Sequence, residues 1–125
     1  TAFETAINYR YDDDCINEGI SEHFFDYCKK HNILLEAWRP IMKGEADKVK
    51  ELVEIGNKYD KSATQVILRW NLQIEIITIP KSVNPDRIKH NADLYDFELD
   101  EEDMDFIATL NQDKRFGPDP DNFDF

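Results

Sequence analysis

The sequence predicts an α/β domain in which parallel strands alternate with outer helices. Short strand-like runs at residues 33–37 and 76–79, the second of them β-branched, support this, and so do the amphipathic segments of helical spacing that separate and follow them. No low-complexity linker divides the 125 residues, so we expect one domain.

The N-terminal part of this order is a helix, a strand and a helix. The first helix follows Ser21 and contains Cys28, for which burial in a reducing compartment is expected because the cysteines show no metal-ligand spacing. The strand at 33–37 comes next, and Leu52 and Gly56 then recur at helical spacing. Core packing accounts for these positions.

Two further helices have capping signals. Ser62 and Gln65 have the form of a capping box, and Trp70 lies in the buried register of the helix that follows. We therefore expect Trp70 in the core rather than against a ligand. Asp100 precedes a first turn with three acidic residues, where negative charge is favourable, so these acids are interpreted as structural.

The exit of the second strand has the features of an anion site. The run at 76–79 is closed by Pro80, which indicates a strand covered on both faces. Asn84 can cap the following helix and Pro85 suits its first position. We therefore expect free backbone N–H groups and the positive end of the helix dipole at this exit.

Side chains around the same turn add donors for a phosphate. Lys81 supplies a point charge, Ser82 a hydroxyl, Arg87 a guanidinium and Asn91 an amide. This set can hold a phosphate on a sugar.

Composition limits the partners. The 15 basic and 27 acidic residues give a formal net charge of −12, which argues against nucleic-acid binding. No apolar run approaches the ~18 residues of a membrane span and no signal sequence is present, so we expect a cytoplasmic protein without a membrane partner. Three consecutive carboxylates at 12–14 lack further spaced ligands, and no metal is assigned.

Four long motifs in collinear order resemble one family. The residues IPKSVNPDRIKHN, at 79–91, closely resemble the segment with which aldo-keto reductases hold the 2′-phosphate of NADPH. The residues ILLEAWRP (33–40) resemble the seventh barrel strand of that family, KSATQVILRW (61–70) its seventh helix, and GPDPDNFDF (117–125) its C-terminal tail. The resemblance covers about residues 24–125.

The resemblance implies the C-terminal half of a TIM (β/α)8 barrel, with parallel strands and outer helices. Residues 1–125 would be a single partial barrel domain, with 112–125 as its C-terminal tail. The 125 residues are about half of the ~250 that such a barrel needs. We therefore expect a fragment, a cleaved product or a truncated chain whose missing part is N-terminal.

The resemblance also implies a site for NADPH. The expected cofactor-binding residues are Trp38, Arg39, Lys81, Ser82, Val83, Arg87, His90 and Asn91. Lys81 and Arg87 would hold the 2′-phosphate. Ser82 and Asn91 would contact the adenosine side, and Trp38 would stack on the nicotinamide ring.

Two of these positions depart from the family pattern. Arg39 stands where the family usually has Ser near the pyrophosphate, which an Arg could either pair with or obstruct. His90 stands where Glu or Gln is common beside the adenine ribose. It could either weaken the adenosine contacts or make them depend on pH near the His pKa of ~6.5.

Residues 1–23 admit two alignments with the family. In the preferred one, residues 6–11 resemble the sixth strand, and Tyr9 replaces a Gln that binds the carboxamide. In the other, residues 4–9 resemble the motif Asp-Thr-Ala-x-x-Tyr, so that Tyr9 is the catalytic proton donor and Glu4 replaces the Asp. No Lys or His partner of the family's catalytic set appears at a matching position.

Two functions remain open. The first is an NADPH-dependent oxidoreductase that reduces aldehydes or ketones to alcohols, with a small carbonyl substrate. It needs the missing N-terminal barrel half, or a homodimer partner, to complete the barrel. The alternative is a non-catalytic nucleotide-binding or regulatory half-barrel protein. The near-complete cofactor motif favours the first, whereas the absent Lys and His favour the second.

Overall fold

Helices and strands alternate along the chain. The computed structural model describes residues 24–37 and 39–110, with the backbone alone for Phe24 and Phe25. In chain order the elements are α1 (Phe24–Lys30), β1 (Leu35–Ala37), two 3-10 turns (Met42–Gly44 and Ala46–Lys48), α2 (Lys50–Tyr59), α3 (Ala63–Gln73), β2 (Ile76–Thr78), α4 (Pro85–Ala92) and α5 (Glu101–Thr109).

The two strands form a parallel pair. Their register sets Leu35 opposite Ile76 and Ala37 opposite Thr78. Because α2 and α3 lie between the strands in the chain, β1 and β2 are joined by a helical crossover. The predicted α/β class with parallel strands is confirmed.

The prediction that the second strand is covered on both faces is wrong. Ile76 is 1% exposed, but Ile77 is 41% and Ile79 is 65% exposed. Successive side chains of a strand point to opposite faces, so Ile77 shares its face with its cross-strand partner Glu36, which is also exposed. Helices of the described chain therefore bury one face of this strand pair and leave the other open.

The core lies where α3 packs on the sheet and on α2. Leu52 of α2, Val66 and Ile67 of α3 and Ile107 of α5 have no solvent exposure. Trp70 is 5% exposed, and its indole Nε1 donates to the Met104 carbonyl at 3.1 Å, so its predicted core position is confirmed.

Cys28 is buried in α1, as the sequence predicts. Its side chain is 2% exposed, and burial raises the pKa of the thiol. A thiol with a raised pKa is a poor nucleophile, so Cys28 serves as a small apolar side chain.

All three predicted caps are present. The capping box is formed by Gln65 N, which donates to Ser62 Oγ at 3.2 Å, and by Ser62 N, which donates to Gln65 Oε1 at 3.1 Å. Asn84 caps α4, and Asp100 Oδ1 accepts from the Asp103 amide at 2.9 Å to cap α5. Among residues 24–37 and 39–110, no helix is long and apolar enough to cross a membrane.

Candidate functional site

Two loops leave the sheet at the same edge. Since β1 and β2 are parallel and Ala37 lies opposite Thr78, the chain leaves both strands on the same side. Arg39 follows β1 there, and the turn at residues 81–84 follows β2. Ligand sites of parallel α/β sheets form at this carboxyl edge. The fold therefore brings Arg39 and the turn at residues 81–84 to one edge.

The turn at 81–84 is organised by Ser82. Its Oγ accepts a hydrogen bond from the Asn84 amide at 3.1 Å and donates to the Asn84 carbonyl at 3.4 Å. Val83 projects into solvent with 82% of its surface exposed. Lys81 is also exposed. The hydroxyl of Ser82 thus shapes the backbone from which helix α4 starts.

The predicted free N–H groups at the start of α4 are absent. Asn84 Oδ1 accepts from the Asp86 amide at 2.9 Å and from the Arg87 amide at 3.2 Å. The Ile88 amide donates to the Asn84 carbonyl at 3.0 Å, and Pro85 has no N–H. The side chain of a good cap occupies the donors that an anion would need. A phosphate here has to be bound by side chains, with the helix dipole as support.

One face of α4 presents polar side chains. Arg87, His90 and Asn91 are spaced i, i+3 and i+4, which places them on one side of the helix. Arg87 and His90 are exposed and Asn91 is half-buried. Within residues 24–37 and 39–110, the side chains of Lys81 and Arg87 make no hydrogen bond or ion pair. Two cations that no described carboxylate neutralises favour an anionic ligand.

Arg39 has a left-handed backbone. Its φ is +57°, its side chain is half-buried, and its carbonyl accepts from the Met42 amide at 3.0 Å. Six described residues other than glycine have a positive φ, so this backbone conformation by itself does not mark Arg39 as a site residue. The predicted role of Arg39 near a pyrophosphate stays a prediction.

The predicted Tyr9 proton donor and the predicted Trp38 stacking ring lie outside the described residues, as do the carboxylates at 12–14. Their roles stay predictions. Within the part of the chain that is described, no three His, Cys, Asp or Glu side chains are arranged to hold a metal ion.

The sequence alone does not reveal the side chains that fix the segment after α4. Four side chains donate hydrogen bonds to residues between Asp93 and Leu99, namely those of Lys61, Gln65, Arg69 and Gln73. The available signal was their recurrence every four residues, which indicates one side of a helix. For Gln65 the sequence predicts only the capping box.

Known proteins are similar to this chain in sequence. The model of the Aldo/keto reductase family matches residues 7–112. Glyoxal reductase of Bacillus subtilis is 53% identical over 100 residues, which are 80% of this chain and 36% of that protein. Methylglyoxal reductase DkgA of Escherichia coli is 42% identical over 95 residues, 74% of this chain and 34% of that protein. The chain spans about a third of the length of these curated relatives.

Solved structures match a similar share of this chain. The apo form of Gox0644 matches with a TM-score of 0.76 and 40% identity, over 82% of this chain and 38% of that one. A variant of Gox0644 in complex with NADPH matches with a TM-score of 0.73 and 40% identity, over 80% and 37%. These neighbours are aldo-keto reductase TIM barrels.

Proposed function

Because the chain belongs to the aldo/keto reductase family, we propose that it forms the C-terminal, cofactor-side half of a (β/α)8 barrel. This barrel reduces aldehydes or ketones to alcohols with NADPH. Residues 1–125 make up one partial barrel domain, and residues 112–125 are its C-terminal tail.

The pair of exposed cations beside the parallel strand ends supports this proposal most directly. Lys81 and Arg87 have no described partner, although 27 acidic residues are present in the chain. Cations near a helix start are unfavourable for the helix dipole, but they suit a dianionic phosphate. We assign Lys81 and Arg87 to the 2′-phosphate.

The other proposed contacts follow the same geometry. Ser82 and Val83 form the turn beside the phosphate, and His90 and Asn91 continue the Arg87 face toward the adenosine. Arg39, at the same sheet edge, is assigned to the pyrophosphate. Trp38 is proposed to stack on the nicotinamide ring.

Reduction of a carbonyl needs a hydride and a proton. NADPH, when bound, supplies the hydride. A phenol that donates the proton needs a lowered pKa. Burial raises the pKa of Tyr59, and the hydrogen bond to Asp103 acts in the same direction, so Tyr59 does not fit this role. We assign proton donation to Tyr9 or to the barrel half that completes the site.

Small dicarbonyl compounds are the substrates to try first. Two relatives are named glyoxal reductase and methylglyoxal reductase.

The open face of the strand pair, with Ile77 exposed, needs cover from the N-terminal barrel half or from a second copy of this chain. We propose that one of these partners completes the site.

A non-catalytic nucleotide-binding or regulatory protein is the second candidate. The absence of a Lys or His at a position matching the family's catalytic set favours it, because such a chain binds nucleotide without supplying a proton. Carbonyl-dependent oxidation of NADPH separates the two candidates. Turnover of glyoxal or methylglyoxal by the chain, alone or with its completing half, supports the reductase, and nucleotide binding without turnover in both states supports the alternative.

The experiment that tests the phosphate site compares two ligands that differ in one group. The purified chain is titrated with adenosine 2′,5′-bisphosphate and with 5′-AMP, followed by calorimetry. We expect the bisphosphate to bind more tightly because only this ligand reaches both Lys81 and Arg87. Failure to bind either ligand, or equal affinity for both, would overturn the proposal.

Arg87→Ala and Lys89→Ala form a matched pair of variants. Both remove one cation from the exposed surface of α4, but Lys89 is two residues from Arg87 and therefore points to another side of the helix. Arg87→Ala should weaken the bisphosphate by about 1.5 to 3 kcal/mol and leave 5′-AMP unchanged. Lys89→Ala should change neither. Equal loss of both ligands in Arg87→Ala would remove Arg87 from the phosphate role.

A further inference from the structure

The side chains of helix α4 hold it only weakly. None of its residues is buried. A helix without buried side chains has little packing to fix its position. Its place has to be set by the turn before it and by the segment after it, residues 93–99, which we call the connector.

The connector is bound at its start by two polar side chains of α3. It begins with Asp93, the C-cap of α4, and Leu94 next to it is 4% exposed. Gln65 Nε2 donates to the Asp93 carbonyl at 3.0 Å, and Arg69 Nη1 donates to the Leu94 carbonyl at 3.2 Å. The end of α4 is therefore attached to α3 through main-chain atoms.

The far end of the connector is bound in the same way. Gln73 Nε2 donates to the Leu99 carbonyl at 2.9 Å, and the Leu99 amide donates to Gln73 Oε1 at 2.8 Å. Leu99 is 3% exposed and belongs to the core. Both ends of the connector are thus bonded to α3, and the first end adjoins the C-terminal end of α4.

Lys61 adds two ion pairs at that first end. Its Nζ lies 2.7 Å from Asp96 Oδ2 and 3.0 Å from Asp93 Oδ2. The Lys61 side chain is only 9% exposed, and Phe97 lies under the ammonium at 5.3 Å. Hydrogen bonds to Asp96 and Asp93 raise the pKa of Lys61, so the ammonium is charged at neutral pH. A covered ammonium shared by two carboxylates is more restrictive than an exposed surface pair.

We propose that Lys61, Gln65 and Arg69 are positioning residues for phosphate binding. They hold the connector, the connector fixes the C-terminal end of α4, and α4 presents Arg87 to the ligand. These three residues thereby set the preference of the site for a nucleotide with a 2′-phosphate. The inference rests on the proposed function, because it requires the phosphate to bind at Arg87.

Lys61→Met tests the proposal with Lys58→Met as its matched control. Met keeps the apolar stem and removes the charge. Lys58 has the same chemistry as Lys61, since its Nζ lies 2.5 Å from Asp100 Oδ2 and 2.9 Å from Asp103 Oδ2. It acts on the start of α5 instead of on the connector. If Lys61 contributes to stability alone, the two variants should not differ in their preference for a 2′-phosphate.

The readout is the ratio of the Kd for 5′-AMP to the Kd for adenosine 2′,5′-bisphosphate, measured where circular dichroism shows every variant folded. Lys61→Met should lower this ratio by about tenfold, the change expected when one charged hydrogen bond to the phosphate is lost. Lys58→Met should leave the ratio unchanged. Lys61→Arg should keep it, because a guanidinium can pair with both carboxylates.

Two outcomes separate this inference from the proposed function. If the unsubstituted chain prefers the bisphosphate and Arg87→Ala removes that preference, the proposed function stands. An unchanged ratio in Lys61→Met, or an equal fall in Lys58→Met, would then overturn the inference alone. If the unsubstituted chain shows no preference, both fail. If Lys61→Met does not fold, Asp96→Asn is the second variant, because it removes the shorter ion pair of Lys61 from an exposed position. It should also lower the ratio. An unchanged ratio in Asp96→Asn would overturn the inference.

Discussion

Tyr59 and Asp103 are joined by a hydrogen bond of 2.6 Å from the phenol to Asp103 Oδ2, although they lie at the end of α2 and the start of α5. The same phenol oxygen accepts from the Asp100 amide at 3.0 Å. Tyr59 therefore bonds both to the N-cap residue of α5 and to a carboxylate in its first turn. One aromatic residue connects two helices that are distant in the sequence.

Tyr59→Phe should lower the free energy of unfolding by about 1 to 3 kcal/mol, because it leaves the partners of a part-buried hydroxyl without their hydrogen bonds. The ring contact with Phe97, at 5.8 Å between centroids, is kept. Urea unfolding measures the change. Tyr27→Phe is the control, since the Tyr27 hydroxyl has no partner among the described residues, and its effect should stay within about 0.5 kcal/mol. Equal effects would contradict the assignment.

Gly56→Ala should destabilise the protein by about 2 kcal/mol or more, although Ala is normally the better helix former. A Cβ at Gly56 would overlap the backbone carbonyl oxygen of Lys61, where the chain turns from α2 into α3. The Lys61 amide also donates to the Gly56 carbonyl at 2.9 Å, so the two backbones cannot separate without losing this bond. Thermal unfolding measures the effect.

Gly44→Ala is the control for this prediction. Its Cβ would meet no atom within 4 Å, and only the positive φ of +88° opposes it, at a cost of about 1 to 2 kcal/mol. A smaller loss in Gly56→Ala than in Gly44→Ala would show that the α2–α3 turn adjusts easily.

Local patterns in the sequence predict the helix caps, but they do not predict contacts between residues that are distant in the chain. Ser62, Asn84 and Asp100 each cap a helix by bonding within three residues, so the pattern contains both partners. Gln65 was predicted for its bond to Ser62 but not for its bond to Asp93, which is 28 residues away. The pairing of such residues depends on how helices pack, which no local spacing specifies.

The errors at the candidate site have other causes. Asn84 is predicted as a cap, and free backbone amides are predicted beside it. The two predictions conflict, because the capping side chain accepts hydrogen bonds from those same amides. The run at 76–79 has isoleucine at both alternating positions of the strand, so its pattern contains no sign of which face is exposed. Arg87, His90 and Asn91 share a helix face because helical spacing alone requires it, and this part of the site could be predicted.

Asn84→Ala should raise amide exchange at Asp86 and Arg87, because Asn84 Oδ1 accepts from both amides. Loss of a cap costs about 0.5 to 2 kcal/mol, and since α4 has no buried residue the cost should appear as local opening rather than as global unfolding. Hydrogen exchange measured by NMR distinguishes the two. Ser62→Ala is the contrast, since it removes the cap of the buried helix α3 and should lower the global stability. A large global loss in Asn84→Ala would contradict the view that α4 is held mainly through its neighbours.

The ion pair between Lys61 and Asp96 predicts a specific dependence of stability on pH. The hydrogen bond from Lys61 lowers the pKa of Asp96 below its ordinary 3.8, so the folded state releases this proton more readily than the unfolded state. The resulting stability is present above the unfolded carboxyl pKa and is lost as the pH falls through the lowered value. The raised pKa of Lys61 acts at the other end, where its contribution is lost only as the pH rises above about 10.5.

Asp96→Asn should therefore flatten the acid limb of the stability curve. The unfolding free energy of the unsubstituted chain should fall between about pH 5 and pH 3, and that of Asp96→Asn should fall less steeply because one linked proton is removed. Asp105→Asn is the control, since the Asp105 carboxylate is exposed and makes no hydrogen bond or ion pair among the described residues, and it should keep the original slope. Equal slopes in Asp96→Asn and the unsubstituted chain would mean that the pair is open in solution. Lys61 would then not be restraining the connector through Asp96.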